Sequence, residues 1–272
     1  LSRLFRREAE LTIGDTLIAG LDISFSIEKT LAREPNTAEI QVWNLNDINR
    51  KYLRDQKRVP VTLKAGYQDA MGLLFRGDLT EAFSTREGPD WVTVIRSGDG
   101  IAALQSSRIN RTFKAGTPVI DILKEISKSL GVNVGDAISF LEKRGFAGAD
   151  KKLLSGSALS GSASVELNKW LKSVGLEASV QDGALQVLVS GKSLERTAIV
   201  LSSQSGLIGS PEISSKGILR ARSLLNPELF PGRQFLLQSR EIKERYFRIA
   251  RANFTGETSG QDWYVDIEAQ AL

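Results

Sequence analysis

Chemistry in this chain must do without its two commonest instruments, because the 272 residues contain neither histidine nor cysteine. Imidazole is the usual general base near neutral pH and a frequent metal ligand, and thiolate is the usual soft nucleophile and zinc ligand. Histidine-dependent serine triads, cysteine dyads and histidine-based metal sites are therefore excluded, and disulfides with them. Carboxylate, lysine, tyrosine and lone-serine chemistry remain. Paired carboxylates could cleave peptidoglycan glycans, and Glu81, Asp90, Asp99 and Glu142 are the acidic residues that can be named for such work. A single acidic residue near a turn is far more often a cap or a solvated charge, so none is assigned a catalytic role. No cofactor-binding or metal-ligating set is expected, and the chain is read as a non-enzyme.

Charge is the second candidate for function. The net charge is +4, with basic residues thickening at Arg108, Arg111 and Lys114, and again at Arg240, Lys243, Arg245, Arg248 and Arg251. Such clusters are either solvated surface or a face for phosphate or an acidic partner. A glycine-rich phosphate loop, an aromatic stacking set and a basic recognition helix are all missing from the sequence, so specific nucleic-acid binding is not expected. Nor is a membrane span, since no run approaches the roughly 20 apolar residues required. The basic start, Leu1 to Glu8, lacks the apolar stretch of a secretion signal.

The elements that must carry any site read as mostly β. Leu21, Ile23, Phe25 and Ile27 alternate with Asp22, Ser24, Ser26 and Glu28, the pattern of a half-buried strand. Ala38, Ile40 and Val42 repeat it, as do Val61, Leu63, Ala65 and Tyr67. Between them Leu45, Ile48 and Tyr52 fall at helical spacing behind asparagine caps, predicting a short helix over 44–53 whose apolar stripe closes a barrel end. Residues 73–79 and 91–97 supply further strands.

After Gly98-Asp99-Gly100 the composition shifts. A connecting strand carries Gln105, Ser107, Ile109, Arg111 and Phe113 on one face, and Thr117-Pro118 then opens a helix as N-cap and first residue. Val119, Leu123, Ile126 and Leu130 form its stripe, and Gly131 stops it. A second helix over 164–174 presents Leu167, Trp170, Leu171 and Val174, and a hairpin follows with Asp182-Gly183 at its turn. The Ser/Gly-rich stretch 154–162 reads as a mobile loop. Short strands return over 198–201, 217–225, 234–238, 245–254 and 263–269.

Two groups of motifs point to a family. Pro35-Asn36-Thr37-Ala38-Glu39-Ile40, Val42-Trp43-Asn44-Leu45, Val61 to Tyr67, Leu74-Phe75-Arg76-Gly77-Asp78-Leu79 and Trp91-Val92-Thr93 ahead of Asp99-Gly100 stand in one order. The Asn226-Pro227 to Pro231-Gly232 turn and the Trp263 strand close the chain. In this order they resemble the baseplate hub proteins of Mu-like and related contractile-tail phages, and the hub part of type VI secretion spikes. The resemblance implies a β-rich α+β fold: a tube-protein-like antiparallel β-barrel over residues 1–104, an α+β middle domain over 105–192, and a second tube-like barrel over 193–272. It further implies a structural virion protein of the tail baseplate, assembled in the host cytoplasm. Three copies would adapt the hexameric tail tube to the trimeric spike and line part of the genome-delivery channel. The implied partners are two further copies, the tube or distal tail protein, the spike and the wedge proteins. The alternative reading is a tail-associated protein that binds or degrades cell wall, because Thr112 to Pro118 ahead of a helix occurs in wall-recognition modules. Trp43, Tyr264 and the arginines near Arg248 stand on mixed strand faces, either as interface residues or as peripheral core.

Overall fold

The computed structural model describes residues 6–32, 34–100, 107–131, 152–153, 155–173, 175–194 and 197–272. The chain divides into two compact units, Leu1–Asp99 with Ser193–Leu272, and Gly100–Lys192.

The first unit opens with β1 (Arg7–Ile13), β2 (Thr16–Ile18), β3 (Ile23–Thr30) and β4 (Thr37–Trp43), followed by helix α1 (Asp47–Asp55) and by β5 (Pro60–Tyr67), β6 (Ala70–Glu87) and β7 (Asp90–Gly98). The second unit holds β8 (Arg108–Phe113), α2 (Val119–Leu130), β9 (Ser157–Ser162), α3 (Ala163–Ser173), β10 (Leu176–Gln181) and β11 (Ala184–Val189). The chain then returns to the first unit with β12 (Ile199–Ser202), β13 (Leu207–Ile213), β14 (Ile218–Leu224), β15 (Gln234–Gln238), β16 (Arg245–Glu257) and β17 (Trp263–Ala271).

Among the described residues the first unit is built on one 13-stranded sheet in the order β13-β14-β17-β16-β3-β4-β7-β6-β5-β1-β2, with β15 on β16 and β12 on β15. The two ends of the chain meet where β16 pairs antiparallel with β3, from Arg251 opposite Thr30 to Glu257 opposite Ser24. Alternation explains the join. Phe25 and Ile27 face inward from β3, Phe254 and Ala252 face inward from β16, and all four are buried in the same core as Ile40, Phe75, Phe235, Phe247, Val265 and Ile267. The ring of Phe25 meets Trp263 edge-on at 5.5 Å, and Phe235 stacks on Phe247 at 5.8 Å. Burying each such ring is worth about 1.5–3 kcal/mol. Close packing at the join requires Gly256, where a Cβ would run into the Phe25 ring and lie 2.8 Å from Trp263 Cε3.

Two long strands change partners midway, each at a bulge. The strand β6 pairs with β5 up to Asp78 and with β7 from there on, skipping Thr80. The strand β16 pairs with β15 up to Arg248 and with β3 from Arg251, and its register against β17 skips Ala250. An extra residue bends the strand and sharpens its twist, which lets one strand serve two sheet directions.

The second unit is assembled from one local hairpin and one pairing of intermediate range. The strands β8 and β9 form one antiparallel pair and β10 with β11 another, the latter a hairpin whose Asp182 and Gly183 both adopt positive φ, 55° and 81°, the conformation a two-residue turn of this hand demands. The expected stripes hold: Val119, Leu123, Ile126 and Leu130 of α2 and Leu167, Trp170 and Leu171 of α3 are buried together with Ile109, Leu159, Val180, Leu185 and Val187. Gly131 is the C-cap of α2. The α2 start differs from expectation: Pro118 is the cap residue without a side-chain bond, and the Thr117 hydroxyl donates to the Lys114 carbonyl at 2.7 Å. The stretch expected as a mobile loop differs more, since Ser157–Ser162 is strand β9 in register with β8. Gln105 and Val174 lie outside the described residues.

Candidate interaction surfaces

The four acidic candidates do not come together as a catalytic set. Glu81 accepts from Arg96 Nη1 at 2.7 Å on the sheet surface. Asp90 accepts from the Asn44 amide at 2.9 Å at the start of β7. Asp99 is buried, and its carboxylate lies 3.4 Å from the amide nitrogen of buried Asn36. Glu142 lies outside the described residues. Among the described residues no group of three or more aspartates and glutamates is placed to hold a metal ion, and no helix is long and apolar enough to cross a membrane.

What the sheet does display is an ordered outer face. Registered residues share a face, so one row runs across the strands as Tyr264, Thr255, Ser26, Glu39, Arg96 and Glu81. The next row runs Arg222, Asp266, Asn253, Glu28 and Thr37, and a third begins Arg220, Glu268, Arg251. The basic groups find acidic neighbours within the face. Arg222 grips Asp266 through two bonds of 2.7 and 2.9 Å, Arg220 meets Glu268 at 3.2 Å, Arg251 meets Glu28 at 3.2 Å, and Arg96 bridges Glu39 at 3.0 Å and Glu81. These bonds to Glu39 and Glu81 raise the Arg96 pKa, as the bond to Asp266 raises that of Arg222. A face whose charges are matched strand by strand carries little net field to draw a polyanion. Tyr264, weighed as interface or peripheral core, lies under the Arg222 guanidinium, 3.9 Å from ring to cation, a cation–π contact inside this face.

The branch of the sheet through β15 and β12 carries a different row. Val200, Leu236 and Tyr246 are in register across β12, β15 and β16, and the backbone of Leu272 donates to Tyr246 at 3.1 Å. Val200, Tyr246 and Leu272 are exposed and Leu236 is half-buried. Arg248, expected on a mixed face with its basic neighbours, is buried. In the other basic cluster, Arg111 pairs with Glu125 at 2.9 Å.

Helix α1 overturns a specific expectation. Asn46 caps it, its side chain accepting from the Asn49 amide at 2.8 Å, and Leu45 and Leu53 are buried. Ile48 and Tyr52, placed by their spacing on the core stripe, are instead 79% and 39% exposed. The spacing puts Ile48 and Tyr52 on one face, but Leu45 precedes the helix and the packing turns the Leu53 side inward instead. On its other flank the Arg50 guanidinium sits 4.1 Å from the Trp91 ring. Nearby, Trp43 lines an open pocket of about 240 Å³ together with Asp22, Ile23, Ser24, Glu257, Thr258, Ser259 and Gly260. The Ser259 hydroxyl donates to Asp22 across its rim.

The described residues thus show a bulged, 13-stranded sheet with ordered surface rows. The family described as Baseplate hub gp41 matches residues 7–243, and the chain belongs to that family, a structural component of the phage tail baseplate. The fold is shared with solved structures at low identity. The 43 kDa tail protein of prophage MuSo2 from Shewanella oneidensis is 11% identical with a TM-score of 0.67, over 97% of this chain and 98% of that one. A tail protein from Neisseria meningitidis MC58 is 9% identical with a TM-score of 0.66, over 97% and 96%. The Escherichia coli c3393 protein, a type VI secretion component described as structurally similar to T4 tail proteins gp27 and gp5, is 14% identical with a TM-score of 0.62, over 96% of this chain and 76% of that one. A search of curated protein sequences gives no match.

Proposed function

We propose that three copies of this chain form a ring at the end of the tail, adapting a hexameric tube above to a trimeric spike below, with the genome passing through the ring. Its regions 1–104 and 193–272 act as two tube-like barrels and 105–192 as an insertion between them. The observation that carries this reading is the paired use of long, bulged, partner-switching strands. One lies in each end of the chain, β6 with Thr80 and β16 with Ala250, the device by which a sheet turns a barrel corner. Two like-shaped halves in each of three subunits would present six similar edges to a sixfold neighbour. The balanced charges of the outer face suit a surface past which DNA must move without sticking.

In this reading the chain acts without catalysis; of the acidic candidates, Glu81, Asp90 and Asp99 bond to Arg96, Asn44 and Asn36 respectively and do not come together. Purified protein should leave cell-wall material intact in a zymogram, and lysis would favour the wall-degrading alternative. Size-exclusion chromatography with light scattering, followed by imaging of the particles, tests the ring. A threefold mass and a central opening are expected; a stable dimer or tetramer would refute it.

A further inference from the structure

We propose that the Trp43 pocket of one copy receives Lys51 from helix α1 of the next copy around the ring, with Ile48 seated at the pocket rim. This rests on the trimeric reading above and names its interface. Four observations meet in it.

The pocket is the size of one large side chain, and its ionisable lining residues, Asp22 and Glu257, are both acidic. An indole and two carboxylates lining one pocket make a suitable seat for an ammonium group, which gains from the ring face and from the charges together; beside it the Arg7 guanidinium is turned to the Glu257 and Gly260 backbone carbonyls. The helix supplies the opposite chemistry. Residues 47–58 contain five basic and two acidic side chains, and the outward face of α1 joins Ile48 and Lys51, three residues apart and hence neighbours on the helix surface. Among the described residues Lys51 pairs with Asp47 at 2.7 Å, with both side chains well exposed; such i,i+4 pairs are weak and exchange readily for a better partner. Ile48, at 79% exposure, is the most exposed of the large apolar residues described.

Placement agrees with the chemistry. In a closed ring of three the directions from one subunit to its two neighbours diverge by only about 60°, so the surface that gives and the surface that receives must lie close together on the subunit. Helix α1 begins at Asp47, four residues beyond Trp43, and four residues reach at most about 14 Å. The Tyr52 hydroxyl lies against the β1–β2 turn, 3.3 Å from where a Cβ on Gly14 would stand. That contact fixes one edge of the helix face that Tyr52 shares with Ile48 and Lys51, while Ile48 and the Lys51 side chain stay largely exposed beyond it.

The test is a charge exchange within one chain, read by light scattering and native mass spectrometry. Lys51→Glu and Glu257→Lys should each weaken trimer formation about tenfold or more, while the melting temperature stays close to that of the parent. The double variant K51E/E257K restores opposite charges at all three contacts and should recover most of the loss. A parent chain that stays monomeric at every concentration would sink the trimeric reading and this interface with it. A parent that trimerises while K51E and E257K do so equally well would leave the ring standing and overturn this interface alone. Loss in both single variants without recovery in the double would also overturn it, because the two side chains would then not be acting on each other.

Discussion

The two units of this chain solve the burial problem by opposite routes. The first joins residues more than 200 positions apart, β3 against β16, and shares one core between the ends of the chain. The second closes on itself through a tight hairpin, a β8–β9 pair and two helices whose stripes face one core. The β3–β16 pairing must overcome a larger loop-closure entropy before any contact rewards it than the β8–β9 pair, and far larger than the hairpin. The lesson is that the first unit depends on a few positions where distant strands lie unusually close, and the second on the bulk of its helix-borne side chains.

The sharpest way to break the contrast is Gly256→Val. The new side chain would overlap the Phe25 ring and press on Trp263, so the first unit should lose about 3 kcal/mol or more; thermal unfolding that is unchanged would show that the β3–β16 join is not close-packed. Next in size is Trp170→Ala, which empties the core of the second unit and should cost it about 3 kcal/mol. Trp170 is the tryptophan of that unit, while Trp43, Trp91 and Trp263 belong to the first. Fluorescence of a chain keeping Trp170 alone therefore reports one unit, and of a chain keeping Trp263 alone the other. The contrast predicts that Gly256→Val shifts the Trp263 signal more than the Trp170 signal.

Smaller still is the surface pair of the charged face. Asp266→Asn should remove less than about 1 kcal/mol, an effect fading as salt is added, and a larger, salt-independent loss would mean the face carries structural weight. The smallest effect is at α1. The hydrogen bond from Lys51 lowers the Asp47 pKa below its ordinary value of 3.8. The contribution of that carboxylate is therefore complete above its unfolded pKa and is lost as the pH falls through its lowered one. An NMR titration of Asp47 in the unassembled chain should show a midpoint below 3.8, moving upward in Lys51→Ala.

Much of this was legible in the residues. Strict alternation from Leu21 to Glu28 fixes β3 and its inward face, because period two has only two solutions. Asp182-Gly183 identifies its hairpin, and the stripes of α2 and α3 identify the helical unit. The motifs at both ends carried the family. What escaped is instructive. Strand β13 contains Gly209 and Pro211, residues that read as a turn yet are tolerated on a sheet edge. Strand β9 is serine and glycine apart from Ala158 and buried Leu159, so its strand character comes from the β8 backbone opposite it and leaves almost no pattern of its own. Ile48 and Tyr52 obeyed a helical spacing but faced outward, since spacing gives the face and the tertiary contacts choose its direction. The Trp43 pocket had no sequence signal, as it gathers the start of β3 and the ends of β4 and β16 with the turns beside them.

The central claim is that paired halves in each of three subunits imitate a sixfold ring, and its most direct test is an electron cryomicroscopy reconstruction of the purified assembly without imposed symmetry. The account predicts three copies around an open centre, with regions 1–104 and 193–272 alternating as six superposable barrels. A ring of another number, or ends that do not superpose on each other, would contradict it.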